Sequence, residues 1–223
     1  MCRSMAILEV VNMTVRRRCK DVFTKDQVRQ IMKKIVTILL IFAVATGARS
    51  EDSTPEKGES WTVPELGMTL VPVQAGTFEM GTKGFLTFGG ERDERPKHLV
   101  RISEHFWIGK NEVTQKVYKK IMGNNPSSFQ GARRPVESVQ WHEAMRFCKK
   151  LTRREQKAGR LPEGHKYRLP TEAEGEFVAC GGKLKSRHEY SGSDELAEVG
   201  WYAENSDDRT HAVGEKAPND LEV

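Results

Sequence analysis

The sequence predicts an α+β fold, rich in loops and built from short strands with two or three helices. Three observations predict it. Thr77, Glu79 and Gly81 alternate with Phe78 and Met80, the period-two signal of a strand with one buried face. Trp141, Ala144, Met145, Cys148 and Leu151 recur at helical spacing and form one apolar stripe. Glycine, proline and asparagine interrupt the remaining segments at short intervals, and no internal repeat is evident.

The first segment with a clear pattern is a leader. Lys33-Lys34 precede an apolar run, Ile35 to Ala45, and small residues follow at Thr46, Gly47 and Ala48. A basic start, a short apolar centre and a small-residue exit are the layout of a secretory signal. The run is shorter than the roughly 20 residues a spanning helix needs. Residues 32–50 are therefore expected to be a signal peptide, cleaved after Ala48 or Ser50, and the protein to be exported, periplasmic or secreted; an uncleaved anchor and an amphipathic or buried helix are the alternatives. Residues 1–31 are basic and displace this signal from the N-terminus, so they are expected to be a misassigned upstream extension, with translation starting at Met32.

Residues 51–67 are polar, carry charges of both signs and read as a linker. The domain is expected from residue 68 to 223. Met68–Val73 and the Ala75–Gly81 segment read as strands, with Gly76 and Gly81 bracketing the second as turn residues, and His98–Ile102 and Phe106–Gly109 read as two more. Thr114 is placed to cap a helix from Gln115 to Met122, which Gly123 ends. The helix beginning at Trp141 presents the apolar stripe to the core. Thr171 with Glu174 three residues on is a capping box for a further helix, and Gly181-Gly182 end it. Residues 183–223 read as ordered loops or as disorder, and Trp201-Tyr202 favour order.

Charge excludes one class of function. The chain has a formal net charge of +5, but residues 1–50 hold 10 of its 36 basic and only 3 of its 31 acidic residues. Residues 51–223 carry the other 26 basic and 28 acidic residues, so no basic surface for nucleic acid is expected. The histidines at 98, 105, 142, 165, 188 and 211 lack metal-ligand spacing. Cys148 lies on the apolar stripe, where a buried structural thiol is the default, and a bridge to Cys180 stays open. Neither a nucleophile elbow nor a phosphate loop is present.

The motifs in order are more specific than any one of them. Val71 to Gly81 reads VPVQAGTFEMG, Glu94 to His98 ERPKH, Phe106 to Thr114 FWIGKNEVT, Pro135 to Trp141 PVESVQW, and Arg168 to Glu174 RLPTEAE. Trp201 to Ser206, Thr210 to Gly214 and Pro218-Asn219 continue the series. This order resembles the formylglycine-generating enzyme, or sulfatase-modifying factor, family over about Met68 to Asn219. The resemblance implies a loop-rich fold related to C-type lectins. It also implies copper-dependent, oxygen-using conversion of a sulfatase cysteine to formylglycine, with the sulfatase polypeptide or another protein as partner. Copper(I) favours soft thiolate ligands, and the family supplies two closely spaced cysteines near its C-terminus.

Here the chain departs from the pattern. Beyond Pro218-Asn219 the family continues to its catalytic cysteines, whereas this chain reads Asp220-Leu221-Glu222-Val223. The domain is therefore expected to lack its C-terminal part, to offer no catalytic residue, and to be inactive as it stands. Gly175 and Cys180 stand where the family usually has tryptophan and arginine. Asn205 matches a position that contributes to a calcium site in the family, so calcium is implied with Asn205 as ligand. The alternative expectation is a non-catalytic extracytoplasmic binding or scaffold domain of the same fold, with no transmembrane span once the signal is removed. A remnant that does not fold stably is the third.

Overall fold

A computed structural model describes residues 41–43, 58–81, 96–184 and 188–223, the first of these as backbone pairing alone. Most of the leader, and Glu94-Arg95 of the ERPKH motif, lie outside these residues. Five strands form the main sheet: β1 (Ile41–Ala43), β2 (Trp61–Val63), β3 (Met68–Val73), β6 (Phe106–Gly109) and β7 (Tyr167–Arg168). Their order is β2-β3-β6-β1-β7, and every neighbouring pair is antiparallel. A second, two-stranded sheet pairs β4 (Gly76–Met80) with β5 (His98–Ile102).

Local sequence explains these elements. On β4 the side chain of Phe78 is buried while Thr77 and Glu79 face solvent, as alternation requires. Strand β6 is buried at all four residues, which fits a strand covered on both faces. Residues 61–67, expected in the linker, are part of the domain instead. Trp61 pairs with Leu70 and Val63 with Met68, and a turn with Glu65 at φ 63° and Gly67 at φ 65° joins β2 to β3. Val63 and Leu66 are buried in the core. A three-residue strand carries too little periodicity to be seen in a polar context.

Helix α1 (Gln115–Met122) starts where Thr114 Oγ1 accepts the Val117 N–H and ends at Gly123, φ 93°. Helix α2 (Trp141–Lys157) begins with Glu143 reaching back to the Gln140 N–H at 3.0 Å. Its inward face differs from the expected stripe. Ala144, Phe147, Cys148, Leu151 and Glu155 are buried, whereas Trp141 is 44% and Met145 39% exposed. At 100° per residue the buried face is turned by about 40° from the expected stripe, with Phe147 against Tyr118 of α1, the rings stacked at 5.5 Å and 10°.

Helix α3 (Glu172–Ala179) opens with the expected box: Thr171 Oγ1 accepts from Glu174 N, and Glu174 Oε2 accepts from Thr171 N at 2.8 Å. Gly175 is buried inside it. Gly181 (φ 77°) and Gly182 (φ 61°) then turn the chain into a 3-10 segment, Gly182–Leu184. A short helix α4 (Leu196–Val199) punctuates the last loops.

Two apolar clusters result. The first gathers β2, β3, α1 and α2 around Leu70, Trp107, Tyr118, Phe147 and Leu151. The second gathers Val71, Val73, Phe78, Ile108 and Phe177, with Leu221 and Val223 packed against it. The main sheet divides them: Leu70 and Trp107 face the first, Val71, Phe106 and Ile108 the second.

Candidate functional site

A cleft of about 440 Å³ lies between α1 and the loop that follows it. Gln115, Lys116, Lys119, Lys120, Asn125, Gln130, Gly131 and Ala132 surround it. Its floor is rigid. Gln115 is 2% exposed, and its amide is fully engaged. Nε2 donates to Phe129 O at 2.7 Å and Pro135 O at 3.2 Å; Oε1 accepts from Asn125 Nδ2 at 2.9 Å and Gly131 N at 3.0 Å.

A buried carboxylate holds the far side of the same loop. Glu137 is fully buried; Oε1 accepts the Phe129 N–H at 2.8 Å and Oε2 the Ser138 hydroxyl at 2.6 Å. Ser127 Oγ accepts the Glu137 N–H at 3.1 Å. Acceptors with donors in place make such a group tolerable inside a protein. Three lysines at the mouth then give the cleft a cationic rim, with Lys120 tied to the Glu65 carbonyl at 2.8 Å. The arrangement can hold a polar or acidic segment of a partner. It contains no nucleophile with an adjacent base.

Sequence reasoning missed this cleft. A signal was available: Gln115 and Glu137 are polar residues beside Val117 and between Val136 and Val139. Polar groups inside apolar runs indicate buried hydrogen-bonding frameworks.

Asn205, the expected calcium ligand, closes a turn. Its Oδ1 accepts the Tyr202 N–H at 2.8 Å and its Nδ2 donates to Gly200 O at 3.1 Å. Asp207 pairs with Arg209 at 3.0 Å. Among the described residues, no three His, Cys, Asp or Glu side chains converge as a metal cage. Cys148 is a free thiol in the first core, and burial pushes it up to about 12, so it is no thiolate at neutral pH. The Cys148–Cys180 bridge is thus not formed. Cys180 sits half-buried at the end of α3. Two of the histidines lie against nearby carbonyls: the His98 ring is 2.9 Å from Pro96 O, and the His165 ring 3.0 Å from Glu163 O.

Trp201 stacks on His211 at 3.7 Å and 13°, with Lys216 Nζ 3.9 Å from the Trp201 ring centre. Among the described residues, no helix is long and apolar enough to cross a membrane.

Comparison with known proteins matches this chain, over residues 56–223, to the profile described as the sulfatase-modifying factor enzyme 1-like domain. A protein named chaperone protein LppX, from Paenibacillus barcinonensis, is 32% identical over 234 residues, covering 86% of this chain and 77% of that relative. Two solved structures share the fold. Treponema denticola variable protein 1 superposes with a TM-score of 0.61 at 28% identity, over 74% of this chain and 71% of that one. PvdO from Pseudomonas aeruginosa gives 0.58 at 25% identity, over 76% and 70% respectively. The expected loop-rich, C-type-lectin-like α+β fold is the one observed.

Proposed function

The chain belongs to the sulfatase-modifying factor enzyme 1-like domain family, and from that premise we propose that it is a non-catalytic, exported protein-binding domain that holds polypeptide clients. The observation that carries this reading is the 32% identity, over 86% of the chain, to a protein named a chaperone. Chemistry supports it. The Cys148 thiol is buried and protonated, a poor ligand for copper and a poor participant in oxidation. The leader from Lys33 to Ala48 supports export. The cationic cleft beside α1 offers a place for acidic stretches of a client.

Dilution of a denatured exported sulfatase, with and without the full chain, tests the proposal by light scattering. An equimolar amount is expected to cut the scatter at least about twofold, since a partner that binds unfolded chains withholds them from aggregation. A second arm incubates the chain with copper, oxygen and a sulfatase-derived Cys-x-Pro-x-Arg peptide. The peptide is expected to keep its mass. Unchanged scatter, together with loss of about 18 Da at the peptide cysteine, overturns the reading in favour of formylglycine formation.

A further inference from the structure

Strands β6 and β7 belong to one sheet but do not pair with each other; β1 stands between them. Ile41 lies opposite Ile108 and Arg168, Phe42 opposite Trp107 and Tyr167, and Ala43 opposite Phe106. Both pairings are antiparallel. Strands on either side of a third lie about 9.6 Å apart, twice the strand spacing, too far to bond directly. The flanking backbone is deep in the protein: Phe106, Trp107, Ile108 and Tyr167 are all buried. An empty position here would leave buried N–H and C=O groups unmade, and each costs about 1–3 kcal/mol. The fold therefore requires a strand at this place. The residues that fill it come from the apolar centre of the leader, Ile35 to Ala45, a segment whose composition marks it for removal.

We propose that the gap between β6 and β7 is a strand-acceptor slot for an extended apolar peptide, occupied in the intact chain by its own Ile41–Ala43. Cleavage after Ala48 or Ser50 takes that strand away and opens the slot to an apolar stretch of another polypeptide. Pairing by β-addition reads main-chain groups first and side chains second. It therefore suits clients that share apolar character rather than sequence. The inference rests on the client-binding reading and assigns it a place distinct from the cationic cleft.

Hydrogen exchange on the full chain tests it. Phe42→Pro removes a donor from the middle of a central strand, a position proline does not tolerate. Amides of Phe106–Gly109 and Tyr167–Arg168 are then expected to exchange at least about tenfold faster, those of Ala144–Leu151 in α2 at their former rate. Adding a peptide of residues 36–45 restores the protection, and the same peptide with proline at the Phe42 position does not. Unchanged exchange in both strands overturns the proposal, as does failure of the peptide to restore it. A register test covers the case in which Phe42→Pro unfolds the whole chain. Ala43→Cys with Phe106→Cys is expected to form a mapped disulfide, and Ala45→Cys with Phe106→Cys is not; loss of that contrast also overturns the slot. Restored protection without any effect on client scatter keeps the slot and removes the chaperone reading. Suppressed scatter without restoration does the reverse.

Discussion

The first core is closed by two helices packed on the sheet, whereas the second is closed by one short helix and the last residues of the described chain. In the first, α1 and α2 interlock through Tyr118 and Phe147, both essentially inaccessible to solvent. Polar anchors at its rim are well partnered: Glu155 is fully buried and takes Arg160 at 2.7 and 3.1 Å, with Arg154 beside it. In the second, Phe78 and Phe177 meet at 5.3 Å, but Met80, Val100, Leu221 and Val223 are only partly covered. Leu99 on β5 is 72% exposed. Stability is therefore expected to be uneven, with the second core opening first.

Phe147→Ala should produce the largest effect. The ring is fully buried and stacked on Tyr118, so its loss is expected to cost about 3–5 kcal/mol. Denaturant unfolding followed by circular dichroism measures this as a lower midpoint at unchanged slope. A cost below about 1 kcal/mol would mean that α1 and α2 close over the vacancy, and the first core would lose its claim to be the better packed.

Asn219→Ala tests how the second core is sealed. The Asn219 side chain donates to Val178 O at 2.9 Å and Ser191 Oγ at 3.1 Å, and accepts the N–H groups of Leu221 at 2.9 Å and Val223 at 3.3 Å. One buried amide thus ties the end of α3 to the residues that cover Phe177. Its loss is expected to cost about 1–3 kcal/mol. Hydrogen exchange should rise in β4, β5 and α3 and stay constant in α2. Equal acceleration in α2 would show that the two cores unfold as one unit.

Gly192→Ala probes the same closure from the other side. A Cβ at Gly192 would lie 2.8 Å from the Asn219 Cα and from Pro218 O, at φ 105°. Backbone cannot give way as a flexible side chain can, and the left-handed conformation adds strain. A loss of about 1–2 kcal/mol is expected, read as a lower thermal midpoint. An unaltered midpoint would separate the 188–194 loop from the seal.

Local chemistry makes much of the fold legible. Thr114 and Gly123 delimit α1, Thr171 and Glu174 start α3, and Phe78 sits on the buried side of its strand, because caps and alternation act within a few residues. Trp141 and Met145 lie off the buried face because rotation of α2 is set by what Tyr118 offers across the interface, which periodicity does not contain. The β2 strand is hidden for the same reason: Val63 is core only through its pairing with Met68. The cleft depends on Gln115, Glu137 and Asn125 meeting from separate segments, so composition carries no outline of it. The place of Ile41–Ala43 is least legible, since a sheet position is a long-range property.

The smallest expected effect lies where the two regions meet. Arg168 of β7 grips Glu174 of α3 through both oxygens, at 2.8 and 2.6 Å, joining the main sheet to the helix of the second core. Burial pushes the Glu174 carboxyl up, but the Arg168 and Thr171 hydrogen bonds outweigh it and hold the group below its usual range. A depressed carboxylate stabilises the fold above the unfolded value of about pH 4.3, and the contribution fades as pH falls through the folded value. Glu174→Gln is therefore expected to lower stability by about 1 kcal/mol at pH 7, the scale of a partly buried charged hydrogen bond. The difference between the two proteins should shrink toward zero as pH falls through the lowered folded value, read from urea midpoints across the series. A gap that stays constant with pH would assign the loss to the capping geometry at Thr171 alone, and the ion pair would then contribute nothing to holding the two regions together.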